Sequence, residues 1–108
     1  MDEKILKELV TGILGIMEPQ VIRIVLYGSV ARGTNTDESD VDVALLMKGN
    51  LDRYTEDKLS DLIVDMNLKY DKVFSVIDID YEVFQKLEKV IPFYKNVARE
   101  GVVLWKAA

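Results

Sequence analysis

The sequence contains neither cysteine nor histidine. Without cysteine, the chain forms no disulfide framework and no thiolate zinc site. Without histidine, it lacks the commonest protein metal ligand and the commonest general base. The carboxylate oxygens that remain suit hard cations such as Mg²⁺. Any metal or proton-transfer chemistry therefore has to rest on aspartate and glutamate.

Positive charge is also scarce in this sequence. Lysine and arginine number 14 against 19 aspartates and glutamates, which gives a formal net charge of −5. Proteins that bind nucleic acid neutralise many phosphates with basic side chains, so we expect no direct nucleic-acid binding. A single bound nucleotide needs only a local site and is compatible with this charge.

The N-terminal segment lacks the features of a signal peptide. It reads MDEKILKELVTGILGIM, which begins with charges of both signs and places its apolar residues at helical spacing. A signal peptide would need a basic start and an unbroken apolar run, so we expect a cytoplasmic protein without membrane association. A length of 108 residues with 49% apolar side chains predicts a single domain over residues 1–108.

The apolar periodicity predicts nine elements, in the order helix, strand, short helix, strand, helix, strand, helix, helix, strand. The strands are expected at Val21–Gly28, at Val41–Met47, at Lys72–Ile79 and in the VVLW stretch near the C-terminus. Thr55 and Asp80 are expected to cap the helices that follow them. This order predicts an α/β (α+β) domain with a small mixed β-sheet and helices mainly on one face.

A glycine turn and a pair of aspartates lie between the first two predicted strands, in YGSVARGTNTDESDVDVALL. Strand geometry places Asp40 and Asp42 on one face, about 6.5–7 Å apart, and a divalent cation between them would remove their repulsion. Gly28 allows the backbone to approach a ligand, and Ser29 begins a helical turn whose free N–H groups suit an anion. Arg32 is expected to contact a phosphate or to brace an acid.

This combination resembles the signature of the minimal nucleotidyltransferases in the DNA polymerase beta superfamily. The matching residues are Gly28-Ser29-x-Ala31-Arg32-Gly33, followed after six residues by Asp40-x-Asp42. The resemblance implies that Gly28 and Ser29 hold the terminal phosphates of a nucleoside triphosphate. It also implies that Asp40 and Asp42 bind two Mg²⁺ ions. The intervening residues Asp37, Glu38 and Ser39 are expected to be solvated or to shape the loop.

The family also has a third carboxylate on a later strand, which completes the metal site and helps to deprotonate the acceptor hydroxyl. The strand VFSVIDID offers Asp78 for this role. If Phe74, Val76 and Asp78 share the open face, Asp78 reaches the metals. If the phase is reversed, Ser75 takes that place and the triad is incomplete. We predict Asp78.

The resemblance implies a Mg²⁺-dependent nucleotidyltransferase that transfers a nucleoside monophosphate, AMP from ATP, to a hydroxyl acceptor and releases pyrophosphate. Larger relatives carry a further domain for the acceptor, so the acceptor site is expected on another chain. The minimal family implies a helical HEPN-type protein as that partner, in a toxin–antitoxin pair. Two alternatives remain: a non-catalytic module that binds a nucleotide or a partner, and a homo-oligomeric enzyme, a dimer, that modifies a small molecule such as an aminoglycoside antibiotic at its subunit interface.

Overall fold

The computed structural model describes residues 2–36 and 40–108. Asp37, Glu38 and Ser39 lie outside the described residues, so the expectations for this part of the loop stay predictions. Five helices and four strands follow one another in the described chain, in the order that the sequence predicts. Their bounds are α1 Glu3–Met17, β1 Val21–Tyr27, α2 Gly28–Arg32, β2 Val41–Met47, α3 Arg53–Tyr70, β3 Phe74–Asp80, α4 Tyr81–Leu87, α5 Pro92–Glu100 and β4 Val102–Lys106.

The strands form one mixed sheet in the order β3-β2-β1-β4. β1 pairs with β2 and β4 in antiparallel fashion, while β2 and β3 are parallel. A parallel pair needs a crossover connection, and α3 provides it between β2 and β3. The mixed α/β architecture predicted from the sequence is thereby confirmed.

Alternation along the strands gives the sheet two faces with separate cores. The long helices α1 and α3 cover the first, which we call the α1/α3 face; its β2 residues are Val41, Val43, Leu45 and Met47. The shorter helices α4 and α5 cover the second, the α4/α5 face; its buried residues are Val25, Ala44, Leu46, Ile79, Phe84 and Val97. The sequence predicted helices mainly on one face. The two longest helices do share one face, and the shorter helices α4 and α5 cover the other.

The two predicted helix caps have different outcomes. Asp80 caps α4 as expected, because its carboxylate accepts hydrogen bonds from the N–H groups of Glu82 and Val83 at 2.9 and 3.2 Å. Thr55 does not cap α3. The N-cap is Asp52, whose carboxylate accepts from the Thr55 N–H at 2.7 Å, so the helix begins earlier than predicted. An aspartate is at least as good an N-cap as a threonine, which accounts for the shift.

Within the described part of the chain, no helix combines the length and the apolar character that a membrane span requires.

Candidate active site

The turn between β1 and α2 brings the backbone against Asp42. β1 pairs Tyr27 with Asp42, and Gly28 follows immediately with a φ of 76°. This left-handed conformation favours glycine. A Cβ atom at Gly28 would also collide with the Oδ2 atom of Asp42. The glycine is therefore needed twice, for its backbone conformation and for the approach of the carboxylate.

Asp42 lies on the α4/α5 face of β2, because its neighbours Val41 and Val43 point into the opposite core. It is half-buried, whereas Asp40, just before the strand, is exposed. Partial burial raises the pKa of Asp42, and the negative charge of Asp40 raises it further. The structure thus brings Gly28, Asp40 and Asp42 together, as the sequence predicted, and leaves the two acids in mutual repulsion.

Arg32 closes α2 and is paired with an acid of another element. Its Nη1 atom lies 3.6 Å from a carboxylate oxygen of Glu100 at the end of α5, and both side chains are about half exposed. The Arg32 charge also lowers the pKa of Asp42, against the two larger effects. Glu100 was not singled out from the sequence, since nothing in the sequence pattern connects these two distant positions.

Asp78 does not lie beside Asp42. The parallel register of β2 and β3 pairs Asp42 with Ser75 and Leu45 with Asp78. Leu45 and Phe74 belong to the core of the α1/α3 face, so Asp78 projects from the face opposite Asp42. The strand phase that we predicted for Asp78 is wrong, and Ser75, the alternative weighed from the sequence, occupies the place beside Asp42.

Phe74 sets this phase of β3. It is 3% exposed, and its N–H donates a hydrogen bond to the Asn67 side chain at 2.8 Å. The α1/α3 core therefore receives the aromatic ring, and Ser75 is turned to the other face. Asp78 follows Phe74 at an even spacing and stays exposed on the α1/α3 side.

Tyr27 is a neighbour of the site that the sequence analysis did not assign to it. Burial raises the pKa of the Tyr27 hydroxyl, and the nearby charge of Asp42 raises it further. Its ring packs edge-to-face on Phe93 of α5, with ring centroids 5.4 Å apart. The available sequence signal was the position of Tyr27 directly before Gly28. The ring contact with α5 stabilises the packing of the strand end that carries the turn.

The donor set can be compared with the needs of Mg²⁺. Residues 2–36 and 40–108 contain no group of three or more acidic side chains placed to hold a metal ion. Asp40 and Asp42 offer two carboxylates beside the turn. Mg²⁺ is commonly held by one or two carboxylates together with substrate phosphates. The residues present therefore fit a cation that is bound jointly with a triphosphate.

Comparisons with known proteins identify the family of this chain. A family model described as a nucleotidyltransferase domain matches residues 3–104. A Methanocaldococcus jannaschii protein, provisionally named a protein adenylyltransferase, is 36% identical over 104 residues, which cover 96% of this chain and 98% of that protein.

Two solved structures share the fold. A provisionally assigned minimal nucleotidyltransferase matches with a TM-score of 0.58 and 18% identity, over 94% of this chain and 95% of that one. A Shewanella oneidensis complex of a tri-AMPylated HEPN toxin with an MNT antitoxin matches with a TM-score of 0.53 and 18% identity, over 95% of this chain and 73% of that one. The family model confirms the resemblance to nucleotidyltransferases, and the two solved structures confirm the fold. Since the family model spans most of the sequence, including the glycine turn and both aspartates, the chain belongs to the nucleotidyltransferase domain family.

Proposed function

We propose that this protein transfers AMP from ATP to a hydroxyl group of a protein partner and releases pyrophosphate. The observation that carries the proposal is the contact between the Gly28 turn and the Asp42 carboxylate, with Asp40 close enough to affect the Asp42 pKa. On this proposal the backbone of the turn would take the phosphates and the two carboxylates the cation. The relative named a protein adenylyltransferase supports AMP as the transferred group.

The roles of the residues follow from their chemistry. Asp40 and Asp42 would hold Mg²⁺, which neutralises triphosphate charge and lowers the pKa of the acceptor hydroxyl when bound. Backbone N–H groups at Gly28 and Ser29 would donate hydrogen bonds to the β- and γ-phosphates, and the Ser29 hydroxyl would add a further donor. Arg32 pairs with an exposed acid at 3.6 Å, so exchanging that partner for a phosphate costs little.

The reaction itself is a displacement at the α-phosphorus. The acceptor oxygen forms a bond to that phosphorus while the bond to the pyrophosphate oxygen breaks, and the acceptor proton leaves to solvent or to a carboxylate. The half-buried Asp42 and the backbone turn keep the triphosphate aligned for attack. Alignment by fixed groups is the main contribution that a protein makes to such a transfer.

The partner that we propose is a helical HEPN-type protein, with this chain acting as the antitoxin of a cytoplasmic pair. The solved complex of an AMPylated HEPN toxin with an MNT antitoxin supports this pairing. A second candidate function is a nucleotide- or partner-binding module without transfer. The pairing of Asp42 with Ser75, in place of a third carboxylate, favours this alternative.

A labelling experiment separates the two functions. The purified chain is incubated with α-labelled ATP, Mg²⁺ and the product of the neighbouring open reading frame, and the proteins are separated by electrophoresis. We expect label on the partner, and none with the double variant Asp40→Asn, Asp42→Asn. The control Asp57→Asn, Asp61→Asn removes two exposed acids of α3 and should transfer normally. Bound nucleotide without label on any protein would support the binding module instead.

A further inference from the structure

Ser75 occupies a position from which a side chain reaches the candidate active site. Its Cα pairs with that of Asp42 across the parallel β2–β3 ladder, and paired residues share a face of the sheet. Neighbouring strands lie about 4.8 Å apart, so side chains at these two positions are in direct reach of each other. The group facing Asp42 from β3 is therefore a neutral hydroxyl.

The other acids of β3 do not replace it. Asp78 pairs with Leu45 and projects from the α1/α3 face. Asp80 pairs with Met47 and so lies on the α1/α3 face as well, and its carboxylate accepts hydrogen bonds from the N–H groups of Glu82 and Val83. Among residues 2–36 and 40–108, no third acid joins Asp40 and Asp42 in a group placed to hold a metal ion.

Two carboxylates are a poor site for free Mg²⁺ but a sufficient one for Mg²⁺ that arrives with phosphates. The ion dehydrates reluctantly and requires a near-octahedral set of oxygen ligands. A triphosphate supplies several of those oxygens, whereas the protein alone supplies few. Binding of the cation and binding of the nucleotide must then strengthen each other by the same factor, since coupling free energies are reciprocal.

We propose that Ser75 makes divalent-cation binding at Asp40 and Asp42 dependent on bound nucleotide, so that the protein has low affinity for the free cation. The inference rests on the proposed function, because it assumes that the same site accepts a triphosphate. A carboxylate at position 75 would remove the dependence by completing an all-protein set of three acids around the cation.

The wild-type protein provides the first test. Mn²⁺ is titrated into the full chain with and without a non-hydrolysable ATP analogue, and free Mn²⁺ is measured by electron paramagnetic resonance. The Mn²⁺ that the analogue binds in a titration without protein is subtracted. We expect the analogue to tighten Mn²⁺ binding by about 5–150-fold. Mn²⁺ binding at Asp40 and Asp42 with the same affinity in both titrations would overturn the proposal.

The variant Ser75→Asp provides the second test. We expect it to bind Mn²⁺ without nucleotide at least about tenfold more tightly than wild type, because a third anionic ligand is present. Ser75→Asn introduces a side chain with the shape of aspartate but without its charge. This variant should therefore bind Mn²⁺ as wild type does. Thermal unfolding with and without Mn²⁺ gives a second readout, in which only Ser75→Asp should gain a clear metal-dependent rise in Tm.

The outcomes distinguish the two proposals. Absence of any nucleotide binding, with or without Mn²⁺, would reject the proposed function. Nucleotide binding together with equal Mn²⁺ affinities for Ser75→Asp and Ser75→Asn would reject the role of Ser75 and leave the proposed function in place. If Ser75→Asp does not fold, the wild-type titrations still decide whether cation binding depends on nucleotide.

Discussion

Substituting Gly28 by alanine perturbs the backbone and the Asp42 carboxylate together. The φ of Gly28 is 76°, and holding an L-residue in the left-handed region costs about 1–2 kcal/mol. The new Cβ would in addition collide with Asp42 Oδ2, so the carboxylate has to rotate away from the turn. We therefore expect Gly28→Ala to lose stability from the backbone and nucleotide affinity from the displaced carboxylate.

Gly49 provides a matched control. Its φ is 70°, but a Cβ atom there would meet nothing within 4 Å. Gly49→Ala should therefore lose about 1–2 kcal/mol of unfolding free energy for the backbone conformation alone. Each kcal/mol corresponds to a fall in Tm of about 4–8 °C. Gly28→Ala should lose at least as much in the same urea and thermal titrations.

Nucleotide binding separates the two variants. Isothermal titration with Mg²⁺ and a non-hydrolysable ATP analogue should show wild-type affinity for Gly49→Ala. For Gly28→Ala we expect a loss of at least about tenfold, equivalent to about 1.4 kcal/mol. Equal affinities for the two alanine variants would refute the reasoning that the approach of Gly28 to Asp42 forms the nucleotide site.

Three further predictions concern caps and titrating groups. Asp52→Ala removes the α3 cap and should lower the urea midpoint of unfolding, because the Thr55 N–H loses its acceptor; an unchanged midpoint would contradict the assigned cap. Hydrogen bonds from Tyr70 and Lys69 lower the Glu8 pKa below 4.5. The ionised Glu8 carboxylate therefore contributes stability above pH 4.5, and this contribution is lost as the pH falls through the lowered pKa. The stability difference between wild type and Glu8→Gln should therefore narrow on acidification, and a constant difference would exclude this linkage. Burial and Asp40 raise the Asp42 pKa above 3.8, so wild-type stability falls as the pH rises through the raised pKa. In EDTA, Asp42→Asn should be more stable than wild type at neutral pH and equally stable below pH 3.8. A variant less stable than wild type at pH 7 would show that the Asp42 charge does not destabilise the fold.

Local patterns were sufficient to predict most elements and the nearness of the glycine turn to the two aspartates. β2 was predicted with its observed bounds, Val41–Met47, because its apolar run is bounded on both sides by polar residues. The approach of Gly28 to the Asp42 carboxylate is seen only in the structure, whereas the nearness of the turn to the aspartates was indicated by their short succession in the sequence. The bounds of β2 and this nearness depend on neighbours in sequence, which is why the sequence alone indicated them.

The phase of β3 could not be predicted in the same way. FSVIDID places apolar residues on both faces, so a period-two pattern fits either orientation. The core contact of Phe74 and its hydrogen bond to Asn67 decide between them, and both depend on the packing of α3. The ion pair of Arg32 with Glu100 is likewise a tertiary contact that no local pattern predicts.

The central claim is that Asp40, Asp42 and the Gly28 turn together bind a nucleoside triphosphate with its cation. A crystal structure with Mg²⁺ and a non-hydrolysable ATP analogue tests it most directly. We expect the terminal phosphates at the backbone of Gly28 and Ser29, with Mg²⁺ between them and the two carboxylates. A triphosphate bound elsewhere on the chain, or both carboxylates turned away from a bound one, would contradict the account.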